Sequence, residues 1–271
     1  MKKVPSILLT LFLAISVFCA AFGSPTKAQA PALESPRKPV IVELFTSEGC
    51  STCPPADALL QKLEEQQPVA GAVVVALEEH VTYWNQLGWT DPYSSLEWTQ
   101  RQVAYKEFFK TDEVYTPQMV VDGRAQFVGS SEQDAAIAIG KAAQRVQTDL
   151  AITADKSDTK GSQQFSVKVG KLGGNTSGDA AEVWLAVTED GLQSSVNRGE
   201  NSGHVLRHVA TLRTLRKIGV ADPNNSAASF TSDQRVKFDP HWNPNNLHVV
   251  VFVQEKKSRQ ILGTVSVKLS H

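Results

Sequence analysis

Apolar positions along this chain follow three rhythms in turn. From Pro39 onward, Val40 to Phe45 is a continuous apolar run rich in β-branched residues, the pattern of a short buried strand. Ala56, Leu59, Leu60 and Leu63 then fall at i, i+3, i+4 and i+7, one face of a helix. Pro54 and Pro55 sit in its first turn, where missing amide hydrogens cost little. Ala72 to Leu77 is again continuously apolar. Strand, helix and strand in so short a stretch make a βαβ unit with parallel strands. A helix is predicted from Asp91-Pro92 to about Phe109. A hairpin follows, Gln118–Val121 and Ala125–Val128 around the turn dipeptide Asp122-Gly123. Ser131, with Asp134 three residues on, marks the start of a last helix that continues through Ala135, Ile139 and Ala142.

Beyond Asp149 the period becomes two. Phe165-Val167-Val169, Val183-Leu185-Val187, Val249-Val251-Val253 and the spacing from Ile261 through Val265, Val267 and Leu269 alternate between apolar and other residues. Clusters of Gly, Asn and Ser separate them, which predicts short antiparallel strands in a sandwich. The expected organisation is therefore an α/β domain over 39–148 followed by an antiparallel all-β sandwich over 149–271.

The first residues read as an address. Lys2 and Lys3 precede an apolar run from Ile7 to Ala21, which gives way to Gly23, Ser24 and Pro25. That is the pattern of a secretory signal over 1–23, and the run is shorter than the ~20 apolar residues that span a bilayer. Residues 24–38, rich in Pro and Ala, read as a flexible linker. Export to the periplasm or beyond is the expectation, with no stable membrane insertion once the signal is cleaved. A formal net charge of −1 gives no electrostatic reason to expect nucleic acid as a partner.

Of three cysteines, Cys19 lies inside the signal, so Cys50 and Cys53 remain, in a compartment where disulfides persist. Cys50-Ser51-Thr52-Cys53 follows a strand and opens a helix. Thiol–disulfide exchange needs an attacking thiolate and a second sulfur close enough to resolve the mixed disulfide. Unpaired amides at a helix start favour the Cys50 thiolate, and one turn keeps Cys53 within reach. Cys50 is the candidate nucleophile and Cys53 the resolving thiol. The alternatives are a structural disulfide or part of a metal site, although no second CxxC supplies the four ligands of structural zinc.

Strand, CxxC and helix, with Thr116-Pro117 later ahead of a strand and hairpin, resemble the thioredoxin superfamily. More narrowly, Phe45-Thr46-Ser47-Glu48-Gly49-Cys50, Cys53-Pro54-Pro55-Ala56-Asp57 and Tyr115-Thr116-Pro117-Gln118-Met119-Val120 resemble a bacterial domain-of-unknown-function family of secreted thioredoxin-like proteins. The resemblance implies a thioredoxin-like domain over 39–148. It also implies a cis-proline at Pro117 beside the cysteine pair, with Thr116 and Pro117 contacting a thiol partner. The chain departs from thioredoxins in having Leu44, not an acid, six residues before Cys50. Glu43 is adjacent, where it substitutes only in a different strand register and is otherwise solvated or salt-bridged.

Local charge adds one expectation. Glu43, Glu48 and Asp57 cluster near the pair, with no Lys, Arg or His between Pro39 and Gln61. Carboxylates disfavour a thiolate, so Cys50 is expected not to be strongly acidified. Tyr83, Trp84, Trp89, Tyr93 and Trp98 read as a core for the helix that follows, or else as a partner surface. Glu78-Glu79-His80 could join the cysteines in holding a metal. His204 and His208 fit surface or core histidines, and Arg207, Arg213, Arg216 and Lys217 a solvated face.

The sequence thus points to an exported protein dithiol–disulfide oxidoreductase acting on protein thiol or disulfide substrates, with no organic cofactor and no metal. Its rivals are a copper- or zinc-handling module built on Cys50, Cys53 and His80, and a non-catalytic binding or assembly protein with a structural disulfide.

Overall fold

The computed structural model describes residues 36–155, 161–173, 176–225 and 228–269. The expected signal at 1–23, and all of the expected linker but its last residues, lie outside them. Strands and helices follow in the order β1 (Lys38–Thr46), α1 (Pro54–Gln66), β2 (Ala72–His80), α2 (Leu96–Phe109), β3 (Gln118–Val121), β4 (Ala125–Val128) and α3 (Glu132–Ala143). There follow β5 (Leu150–Ala154), β6 (Ser162–Val169), β7 (Ala181–Glu189), β8 (Leu192–Ser195), β9 (Val205–His208), β10 (Thr211–Ala221), β11 (Phe230–Lys237), β12 (Leu247–Glu255) and β13 (Ile261–Lys268). The described protein is thus mostly β, with three α-helices.

Eight strands form one mixed sheet in the order β13-β12-β7-β10-β2-β1-β3-β4. Parallel pairing of β1 with β2, Val40 opposite Val74, is what a βαβ unit dictates. The hairpin β3–β4 adds antiparallel to β1. Beyond β2, Thr211 of β10 lies opposite Glu78, so strands from before and after residue 149 share one hydrogen-bonded sheet. A second sheet, β11-β6-β5, and the two-stranded β8–β9 complete the strands.

Alternation along the strands sorts the core. Val40, Val42 and Leu44 of β1 and Ala72, Val74 and Ala76 of β2 face α1 and α3, meeting Leu59, Leu60, Leu63 and Ile139. Their neighbours Ile41, Val75 and Leu77 point through the other face, against Trp98 of α2, Ala186 and Phe252. Val183, Leu185 and Val187 of β7 and Val249, Val251 and Val253 of β12 pack on Phe165, Val167 and Val169 of the second sheet. That packing is a sandwich, and one of its two layers is the large sheet itself.

Two details differ from the sequence reading. Helix α2 starts at Leu96, not at Asp91, because Ser95 caps it by accepting the Glu97 amide. Asp91 is instead buried in the turn before it. In the β3–β4 turn, Asp122 and Gly123 both take the left-handed conformation, with φ of 51° and 63°. A Cβ on Gly123 would stand 1.9 Å from the Arg259 carbonyl oxygen, so only glycine fits there.

Candidate functional site around the paired cysteines

Cys50 lies in the turn after β1, and Cys53 is the N-cap residue of α1. The turn is held by the backbone bonds Cys50 N–H to Ser47 (3.1 Å) and Cys53 N–H to Cys50 (3.2 Å). Pro54 and Pro55 occupy the first helical positions. Both cysteines are free thiols. The Thr116–Pro117 peptide is cis, as the resemblance implies. It stands beside the pair: the Cys50 thiol donates to the Thr116 carbonyl at 4.0 Å. All four residues singled out from sequence, Cys50, Cys53, Thr116 and Pro117, therefore converge.

Neither sulfur reaches the surface. Cys50 and Cys53 have no accessible surface, while Ser51 and Thr52 between them are exposed. Thr52 Oγ1 lies 3.3 Å from Cys50 Sγ. The Trp84 indole donates to the Thr116 hydroxyl at 2.8 Å, and its Cβ stands where a side chain on Gly49 would be. From the far part of the chain, Asn201 Nδ2 donates to the Glu48 and Cys50 carbonyls at 2.9 and 3.0 Å, and Glu200 accepts the Ser51 amide.

The electrostatics overturn the expectation for Cys50. A hydrogen bond with Cys53, outweighing burial and joined by bonds at Thr116 and Thr52, pushes the Cys50 thiol down to about 6. Burial, the bond to Cys50 and the charge of Asp57 push Cys53 far up. Of the local carboxylates, Asp57 alone acts, and on Cys53, while hydrogen bonds govern Cys50. Asp57, one helical turn beyond Cys53, is raised to about 7 by burial and by the charge of Glu78. Its Oδ1 accepts the Thr46 hydroxyl at 2.6 Å.

Strand alternation settles Glu43. It is buried on the α2 side of the sheet, opposite the cysteine helix, with Arg101 Nε at 2.5 Å and the Tyr105 hydroxyl at 2.5 Å. Arg101 also reaches Gln254 at 3.1 Å. The acid on the cysteine side comes from the helix, as Asp57. Glu79 shares the Glu43 side, with its Oε1 3.5 Å from Arg101 Nε. Glu78 and His80 face the other way, toward α1.

There they meet His208 of β9. His208 Nδ1 stands 3.2 Å from Glu78, its Nε2 3.1 Å from Glu48, and His80 Nδ1 2.7 Å from Asp91. Trp89 donates to Glu48 at 2.7 Å, whereas Trp98 is a core residue. Against their burial, Asp91 and Glu78 hold His80 well above the ordinary imidazole range, and Glu78 and Glu48 lift His208 to about 9. The metal-competent cluster among the described residues is Glu78, His80 and His208, without the cysteines. His204 is exposed, with Nδ1 3.2 Å from the Asn201 carbonyl. The sequence reading missed Asp57, His208 and Asn201 as site residues. For Asp57 the signal was its one-turn spacing from Cys53; for His208 and Asn201 no local signal existed.

No helix of the described residues is long and apolar enough to cross a membrane. No curated protein matches the chain. A crystal structure of a protein from Agrobacterium tumefaciens has the same fold, with 22% identity, a TM-score of 0.60, and coverage of 88% of this chain and 99% of the other. HBP35 of Porphyromonas gingivalis is similar over 87% of this chain and 76% of its own, at 16% identity and a TM-score of 0.60. The family described as "Protein of unknown function (DUF1223)" matches residues 41–254, and the chain belongs to that family.

Proposed function

We propose that this protein is an exported thioredoxin-like thiol–disulfide oxidoreductase whose Cys50–Cys53 pair exchanges disulfides with protein partners. The observation that carries the reading is a CxxC pair at the turn into a helix, with Cys50 set against the cis Thr116-Pro117 peptide.

In the reducing direction, the Cys50 thiolate attacks a partner disulfide. One Cys50–partner S–S bond forms, and the first partner sulfur leaves as a thiolate that takes a solvent proton. Cys53 then loses its proton and attacks Cys50 Sγ, forming the Cys50–Cys53 bond and expelling the second partner thiolate. Two electrons pass from the pair to the partner, and the reverse sequence oxidises a dithiol. Asp57, raised to about 7 and one turn from Cys53, is suited to accept the Cys53 proton. Thr116 and Pro117 would line the partner's backbone. Because Cys50 is covered, docking must displace groups packed around it, Thr52 among them, which limits access to partners that bind there.

The alternative of a metal held by Cys50, Cys53 and His80 has less support, since the ligand-type atoms that gather around His80 are those of Glu78 and His208. The test is trapping with Cys53→Ser in the exported compartment. Mixed disulfides through Cys50 with identifiable proteins are expected, and their absence from a folded, correctly located variant would overturn the reading.

A further inference from the structure

Behind the cysteine pair lies a buried arrangement that thiol chemistry does not use. We propose that Glu78, His80 and His208 form a binding site for a single zinc ion. The ligand atoms come from two strands far apart in sequence: Glu78 and His80 alternate onto the same side of β2, and His208 ends β9.

The ligand atoms are close enough to converge on one ion. All three ligand atoms lie within 4.8 Å of one another. Glu78 Oε2 is 3.3 Å from His80 Nε2, and Glu78 Oε1 is 3.2 Å from His208 Nδ1. Donors about 2.0–2.1 Å from a tetrahedral zinc stand about 3.3 Å apart; each histidine already stands at that distance from one Glu78 oxygen, and the remaining edges close from within 4.8 Å by side-chain rotation.

The surroundings orient each ligand as an outer shell does. His80 binds Asp91 through Nδ1, and its fully buried Nε2 points into the cluster with Glu78 Oε2 at 3.3 Å as its neighbour. His208 binds Glu48 through Nε2, leaving Nδ1 toward Glu78. A carboxylate on the far nitrogen of each imidazole is the arrangement that fixes the tautomer of a metal-ligating histidine. Glu78 Oε2 accepts the Thr211 hydroxyl at 2.9 Å. The partners of Glu48, Glu78 and Asp91 are these imidazoles, an indole, a hydroxyl and backbone amides. A dication compensates such buried carboxylates well. His208 also borders a cleft of about 390 Å³ with Asp190, Arg207 and His248. Three protein ligands leave a fourth position open.

This proposal does not rest on the dithiol reading, although Glu78 also bears on Asp57, and the test separates them. Zinc binding is measured by calorimetry and elemental analysis on wild type and on Cys50→Ser/Cys53→Ser. One zinc per chain is expected in both, with affinity lowered at least tenfold by Asp91→Asn and abolished by His208→Gln. Loss of binding in the folded cysteine-free variant would overturn the proposal by assigning the ion to the thiols; failure of both proteins to bind would overturn it outright. Should the His208 variant unfold, X-ray absorption of zinc-loaded wild type decides: a nitrogen and oxygen shell near ~2.0 Å supports the site, and a sulfur shell near ~2.3 Å refutes it.

Discussion

At the scale of single residues, Cys50 shows hydrogen bonding outweighing burial. Its lowered pKa, about 6, rests first on the bond with Cys53. Thiolate absorbance of the reduced protein should therefore rise with a midpoint near 6, and Cys53→Ala should move it upward. A midpoint unchanged by that substitution would refute the assignment. Asp122 offers a second pH test. It accepts the Ile41 amide at 3.1 Å, and burial pushes its carboxyl from 3.8 up to about 7. The fold prefers the protonated acid, so its contribution is complete below the unfolded pKa and is lost as pH rises through the folded value. Denaturant titrations should show wild type losing a few kcal/mol relative to Asp122→Asn between pH 4 and 7. Asparagine keeps the acceptor and tolerates the positive φ. Parallel pH profiles would contradict the account. The cysteine pair and Thr116-Pro117 were legible in sequence because their spacing is local. The pKa of Cys50 was not, because it depends on how the folded turn sets its sulfur against Cys53, how deeply it is buried, and where Thr116 comes to rest.

Elements act through the faces they present. Alternation on β2 divides Glu78-Glu79-His80, placing Glu79 with Arg101 and Glu78 with His208. The consecutive acids were visible in sequence, and their division between two environments follows once the strand is granted. Arg101, in turn, ties α2 to β1 through Glu43. Removing one member of a buried pair leaves the other charge uncompensated, typically about 3–5 kcal/mol. Arg101→Leu should lower stability by that order, read from the urea midpoint, with Cys50 ionisation unchanged. A loss under ~1 kcal/mol would show that the pair is not held as described. Trp84 sits where Gly49 has no side chain and bonds the Thr116 hydroxyl. Its truncation to Ala should speed alkylation of Cys50 more than it lowers global stability.

For the whole molecule, the informative feature is the seam between β2 and β10. After residue 149, local periodicity found β6, β7, β12 and β13 but neither β10 nor its union with β2, because Thr211 and Glu78 are joined by a pairing no sequence period encodes. The same long-range closure brings Asn201 to the Cys50 carbonyl and His208 to Glu78. A fragment of residues 36–148 would expose the β2 edge and leave Glu78 and His80 without these partners. It should show no cooperative thermal transition, and a sharp one would mean that the first half folds alone.

The central claim is that two neighbouring sulfurs exchange bonds with a protein partner. Incubating the reduced protein with a disulfide-bonded protein, and following both by mass spectrometry under anaerobic conditions, tests it directly. The account predicts that each partner disulfide lost is matched by one Cys50–Cys53 disulfide gained, and that Cys53→Ser halts at the mixed species on Cys50. Partner disulfides that stay intact while both thiols remain free, under conditions where a small dithiol reduces them, would contradict it.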